Sequence, residues 1–375
     1  MPDHARELLN QIRQNGGLRE REKWWVEHQP FLLSHGYALR PRYDPNWIPT
    51  WELPGNEALL PSRFEDSLPI PIPGNVLDAR RVADQYKVVL KLVSSSSEKA
   101  NTWYLGEYLP EMEPDQRNRC VPLLEFIELR DDKKYIGILV LPFLRIFDDP
   151  PFGRVSEVAE AVGQFLQATE YMHSKNVAHG DLCRRNLMMD ARGLIPNDWH
   201  FVLPATYNGV QVSKSLTSQP RPPVSQVNYF VIDFGLTSEF YDGPENVGGK
   251  YGQDKTVPEM LEWKRSESEK LKSDKPDTIA LHTFDPFKVD IYQLGNVILK
   301  LVETYEGLEI FRMLADSMTM HNPDNRPTAS ECLQTFRALT IPENAPVSLI
   351  SSSDSDTDYS ESDVDSEGSE GEGSQ

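Results

Sequence analysis

Asp181 and Asn186 share the run His179-Gly180-Asp181-Leu182-Cys183-Arg184-Arg185-Asn186, which the apolar pair Leu187-Met188 follows at once. Well downstream comes Asp233-Phe234-Gly235, and upstream, inside an apolar run, comes Lys91. One reaction calls for this small set of groups. Phosphoryl transfer to a hydroxyl needs a carboxylate to orient the nucleophile and take its proton, oxygen ligands for Mg²⁺, and a cation against the phosphates that are not transferred.

Periodicity predicts the elements that must position these side chains. Residues 76–82 (VLDARRV) and 87–93 (KVVLKLV) read as two strands joined by 83–86, and residues 135–141 read as another, stopped by Pro142. Residues 155–172 carry Val155, Val158, Val162, Phe165, Leu166 and Met172 on one helical face, and 289–302 do the same with Ile291, Leu294, Ile298 and Leu301. A strand at 227–232 leads directly into Asp233. Strands early and helices late predict an α+β body, sheet-rich first and helical after. Ahead of it, residues 19–34 cluster aromatic and aliphatic side chains at near-helical spacing, broken by Pro30. With Trp24, Trp25, Trp47 and Trp51, this predicts packing onto the body rather than a free linker.

In order and spacing these motifs resemble the protein kinase superfamily, from about residue 69 to 339. The amino-terminal signature Gly36-Tyr37-Ala38-Leu39-Arg40-Pro41-Arg42-Tyr43 and the run Gly252-Gln253-Asp254-Lys255-Thr256-Val257-Pro258-Glu259 look like a divergent fungal-type kinase-like family. The resemblance implies a bilobal fold, with a small β-rich N-lobe carrying one helix C and a larger, mainly helical C-lobe. It implies ATP and Mg²⁺ as cofactors and a protein substrate; the acceptor stays open between serine or threonine, the commoner class, and tyrosine. Asp181 is implied as the base, Asn186 and Asp233 as metal ligands, and Lys91 as the partner of the α/β phosphates. Glu98 is implied as the helix-C glutamate that holds Lys91, with Glu107 competing. Arg185 sits where some tyrosine kinases carry arginine. By register, adenine lies between Val76 and Val89 above and Met188 below, with Leu141 at the back and Phe143 and Leu144 in the hinge. Glu259 pairs with Arg326 in such a fold, and Asp290 braces the loop that carries Asp181.

The chain also departs from the pattern. Counting back from Lys91 without gaps puts Gly74 on the last glycine of the phosphate-covering loop and Pro69 and Pro71 on the other two, where proline offers no N–H donor. Gly180 replaces the arginine that meets an activation-segment phosphate, so activity is expected not to depend on phosphate at Thr237, Tyr251 or Thr256. Cys183 stands where a lysine is usual and reads as a passive small side chain rather than a reactive thiol. Helix C looks short, with Thr102 where an apolar residue is usual. Residues 192–228 are long for their place and read as a surface insertion. Two alternatives stay open: a pseudokinase that binds nucleotide as a scaffold, and an aminoglycoside- or choline-kinase-like small-molecule phosphotransferase, which His-Gly-Asp-Leu-x-x-x-Asn also resembles.

Composition sets the outer bounds. Of 375 residues, 39% are hydrophobic and 10% aromatic, enough for a buried core. The three cysteines form no close pair, which suits a reducing compartment and argues against a disulfide framework or a zinc site. No apolar run is long enough to cross a bilayer, so an intracellular protein, cytoplasmic or nuclear and without a membrane partner, is expected. The formal charge of −20 argues against nucleic-acid binding, and nine of its carboxylates lie beyond residue 350, where no basic residue occurs. The predicted organisation is an extension at 1–64, a catalytic domain at 65–341 (N-lobe to about 141, C-lobe from about 145), and a disordered acidic tail at 342–375. Serines of that tail sit beside acidic residues, as acid-directed phosphorylation by another kinase requires.

Overall fold

The computed structural model describes residues 17–350 apart from 57, 72, 212–215, 217–220, 222–225, 241–251 and 274–282. Tyr251 and the segment from 351 onward, each the subject of an expectation above, lie outside the described residues.

The first half is built on one antiparallel sheet, in the order β1-β2-β3-β5-β4. Its strands are β1 (Tyr37–Ala38), β2 (Val76–Arg81), β3 (Lys87–Val93), β4 (Glu125–Glu128) and β5 (Gly137–Pro142). Alternation along β3 sends Val88, Leu90 and Leu92 into a core shared with Trp25 and Leu32 of helix α1 (Glu20–Ser34). The same period of two turns Val89 and Lys91 to the opposite face.

Helix α1 runs through Pro30, where a break was expected. Proline costs the helix one internal hydrogen bond, but the burial of Trp25 and Leu32 on either side of it holds the segment helical. A buried ion pair then ties α1 to the chain that follows. Glu22 and Arg42 meet at 2.9 Å, both fully inaccessible. Glu22 also accepts from the Ile70 N–H at 3.1 Å, and Arg42 donates to the Asp66 carbonyl at 2.5 Å.

Helix α2 (Ser96–Trp103) starts at Ser95, whose hydroxyl accepts from the Glu98 N–H at 3.4 Å. The expectation of a short helix is corrected here. A π-type turn over Tyr104–Tyr108 carries the helical path into α3 (Leu109–Met112). Thr102 is buried, and its hydroxyl donates back to the Glu98 carbonyl at 2.8 Å.

The second half is mainly helical, with α4 (Val155–Ser174), α5 (Pro258–Lys272), α6 (Pro286–Thr304), α7 (Arg312–Met318) and α8 (Ala329–Arg337). Strand β6 (Arg145–Ile146), ahead of α4, joins β8 (Leu187–Met189) and β9 (Tyr229–Val231), which follow it, in a three-stranded sheet, and β7 (Val177–Ala178) pairs with β10 (Ser238–Glu239). The architecture is therefore mixed, an antiparallel sheet followed by packed helices. Residues expected in the tail after 342 pack on the body as far as they are described: Val347 is buried, and β12 (Ser348–Leu349) pairs with β11 (Tyr305–Glu306). No helix among the described residues is long and apolar enough to cross a membrane.

Candidate active site

The face of β3 that turns away from Trp25 delivers Lys91 to two carboxylates. Its ammonium lies 2.7 Å from Glu98 on α2 and 2.8 Å from Asp233, which follows β9. Glu98 rather than Glu107 makes this pair. Burial disfavours the Lys91 charge, but Asp233 and Glu98 outweigh it and hold the ammonium pKa above its ordinary value. The same contact holds the Asp233 carboxyl below the usual range, against the opposing effect of its own burial. Asp233 adopts a left-handed backbone at φ 68°, a conformation that aspartate tolerates better than most residues. Asn101 of α2 fixes the turn after it, donating to the carbonyls of Phe234 at 3.3 Å and Thr237 at 3.1 Å.

The second group is the loop after β7. Asp181 is buried and accepts from the Asn186 amide at 2.9 Å. The loop's own backbone is held from below by α6. Asp290, fully buried, accepts from the N–H groups of His179 at 2.8 Å and Gly180 at 2.7 Å and contacts His173 at 3.0 Å. Three residues further on the same helix face, Gln293 accepts from Leu182 N–H at 2.9 Å and donates to the Gly180 carbonyl at 3.2 Å. Gln293 was missed in the sequence; a polar side chain on the apolar face of a helix, three residues from Asp290, was its signal. The Glu259–Arg326 pair is present and buried, with nitrogen–oxygen distances of 2.6 and 2.7 Å.

Gln253 was also missed. Its backbone N–H donates to one oxygen of Asp181 at 2.7 Å and its side-chain amide to the other at 3.1 Å. Gly252 packs so tightly on the same carboxylate that a Cβ there would overlap it. Between Gln253, Cys183 and Arg185 a cleft of about 830 Å³ opens toward α6. Arg185 stands exposed on its wall, away from the ion pairs around Lys91. Burial first, and the charge of Asp181 second, push the Cys183 thiol up to about 11, so this sulfur is a poor nucleophile.

The residues assigned by register to a nucleotide lie as follows. Val89 faces Leu141 across β3 and β5, and Val76 faces Lys91 across β2 and β3. Met188 sits in β8 between Ile146 and Phe230. Leu144 is half-buried against the core, and Phe143 is buried, its ring stacked on Trp199 at 4.7 Å. Trp199 belongs to the 192–228 segment, which is not a loose surface loop at this point. Its carbonyl accepts from Lys87 at 2.6 Å, and that ammonium lies 3.9 Å from the centre of the Phe143 ring.

Gly74 is placed differently from the ungapped count. The strand beside β2 comes from Tyr37–Ala38, so residues 69–75 do not return from a neighbouring strand. They lie along α1 instead: Arg21 donates to the Ile70 carbonyl at 3.0 Å and Trp25 to the Gly74 carbonyl at 2.9 Å. A Cβ at Gly74, whose φ is +89°, would come within 2.9 Å of the Arg21 side chain.

No His, Cys, Asp or Glu cluster of three or more that could hold a metal occurs among the described residues. Asp233 and Asn186 offer one carboxylate and one amide oxygen, a donor set that suits a Mg²⁺ ion completing its shell with phosphate and water. No protein-family model matches the chain, and no curated protein matches it in sequence.

Proposed function

We propose that the chain is a protein kinase, transferring the γ-phosphoryl group of Mg-ATP to a hydroxyl on protein through a bilobal catalytic domain. The observation that carries this reading is the convergence of Lys91, Glu98 and Asp233 within 2.8 Å contacts, beside Asp181 and Asn186 at 2.9 Å. These groups come from β3, α2, the turn after β9 and the loop after β7, so the fold spends several elements on one constellation.

In the proposed reaction the acceptor hydroxyl oxygen attacks the γ-phosphorus and its proton passes to the Asp181 carboxylate. The bond from the γ-phosphorus to the β,γ-bridging oxygen breaks, and ADP departs. Lys91 neutralises phosphate charge, and its geometry is kept by Glu98. Asn186 and Asp233 would hold Mg²⁺, which supplies further neutralisation of the phosphate oxygens. Asp290 and Gln293 act at one remove, fixing the backbone on which Asp181 rides.

The test is labelled-phosphate transfer from Mg-ATP to the protein itself and to generic protein acceptors, beside an Asp181→Asn variant of equal thermal stability. Transfer that vanishes in the variant is the expected result; equal transfer from both would end the assignment of Asp181. A scaffold reading has its own support in residues 69–74. These residues lie along α1 rather than in a hairpin leading into β2, so they are not placed as a loop of N–H donors over phosphates. Nucleotide binding without transfer would favour that reading.

A further inference from the structure

We infer that the cleft beside Asp181 docks this chain's own acidic segment, residues 351–375, as the phosphoacceptor, an inference that rests on the kinase reading for the transfer step. Four cations line the cleft, Arg184, Arg185, Lys255 and Lys300, against the two carboxylates Asp148 and Asp254. Both carboxylates are engaged. Asp148 takes Arg184 at 2.6 and 2.8 Å, and Asp254 accepts from Asn296 at 2.7 Å and from Thr256. Arg185 has no ion-pair partner among the described residues, and Lys300 has only an exposed neighbour, Glu303, at 3.6 Å. The surplus is positive, in a chain whose first 350 residues carry a formal charge of −11.

Charge and connectivity choose the occupant together. Leu349 is itself part of the cleft wall, and Ile350 is fixed beside it by an N–H bond to the Thr304 carbonyl at 2.9 Å. The next residues are Ser351-Ser352-Ser353-Asp354-Ser355-Asp356-Thr357-Asp358, with five more serines or tyrosines and six more carboxylates by residue 369–372. An extended chain advances about 3.4 Å per residue, so the first few acidic serines reach a cleft whose edge they leave from. At the inner end Gln253 and Cys183 connect the cleft to Asp181. A tail serine oxygen there attacks the γ-phosphorus, its proton goes to Asp181, and ADP leaves.

Two readouts test this separately from the kinase reading. A fluorescent peptide of residues 351–375 is titrated, without nucleotide, with full-length protein whose nine tail carboxylates are replaced by Asn or Gln, so that the attached tail does not compete. Binding is expected, falling roughly tenfold with Lys300→Glu or Arg185→Glu and weakening as salt is raised. Lys300 is 75% exposed, so its reversal does not threaten folding if the arginine variant fails to fold. In the second readout the unmodified protein is incubated with Mg-ATP and its phosphosites are mapped, with sites in 351–375 expected. Peptide binding that ignores the charge reversals, or phosphate found on other acceptors while the tail stays unmodified and unbound, overturns the inference and leaves the kinase reading standing. Charge-dependent peptide binding with no transfer to any acceptor overturns the kinase reading, and the acceptor role falls with it.

Discussion

Gln253 holds Asp181 by both oxygens, through its backbone N–H at 2.7 Å and its side-chain amide at 3.1 Å. With the Asn186 amide at 2.9 Å, the carboxylate has three donors. The segment that closes on Asp181 is continuous with the Val257-Pro258-Glu259 start of α5, which the buried Arg326 anchors. Position of the carboxylate is thus set from three sides: Asn186 in its own loop, Gln253 above, and Asp290 through the backbone.

Gly252→Ala tests how much that positioning matters. A Cβ at 252 overlaps the Asp181 carboxylate, so either the segment or the aspartate must shift. A displacement of about 1 Å in a reacting group costs on the order of a hundredfold in rate. The expected outcome is a kcat reduced on that scale with ATP affinity within about threefold of wild type, since no nucleotide group is touched. Unchanged kcat would mean that the segment moves away during turnover.

Lys91→Met removes the cation between Glu98 and Asp233 and leaves two carboxylates facing one another. Phosphoryl transfer is expected to fall below detection, and Asp233 loses the partner that holds its carboxyl pKa down. Stability is expected to drop by no more than about 1 kcal/mol, because Asp233 is 43% exposed and solvent screens part of the pair. Denaturant unfolding of wild type and variant at pH 7 measures it.

Much of this site was legible because period and order survive in a single sequence. Strands at 76–81 and 87–93 and helices at 155–174 and 286–304 follow directly from apolar spacing, and they carry Lys91 and Asp290 into place. Glu98 could be weighed against Glu107 but not settled, because a π-type turn hides the true length of the helical path from a period of 3.6. Strand β1, only two residues long, has no periodicity to read, and its pairing with β2 is what takes Gly74 out of the ungapped register. Trp199 gave no sign of its partner either: aromatic stacking on Phe143 joins segments far apart in the chain, and nothing local encodes it.

Glu65 predicts a measurable acid dependence. It contacts His200 at 3.0 Å and Arg40 at 2.8 Å, linking the chain before β2 to the segment that holds Trp199. Burial raises its pKa, but hydrogen bonds and charge from His200 and Arg40 outweigh that and lower it to about 2 from 4.5. A folded-state pKa below the unfolded one contributes stability that is complete above about pH 4.5 and is lost as pH falls toward 2. Glu65→Gln is therefore expected to be less stable than wild type by about 1–3 kcal/mol at pH 7, with the gap closing between pH 4.5 and 2. A gap that stays constant with pH would remove the carboxylate's charge from the explanation.

The cysteines give the last test, and it bears on Cys183 beside Asp181. Burial and the Asp181 charge push that thiol up to about 11, and burial puts Cys332 at about 12 and Cys120 higher still. At pH 7.5 the reactive thiolate of Cys183 is about two orders of magnitude scarcer than that of a free cysteine. Iodoacetamide is therefore expected to leave all three free thiols of the folded protein largely unmodified over minutes and to label three after denaturation. Cys183→Ser keeps the size and the local backbone, so transfer to protein is expected to persist within about threefold. Rapid labelling of Cys183 in the folded protein would mean that its surroundings stabilise the thiolate, and the passive role would have to be given up.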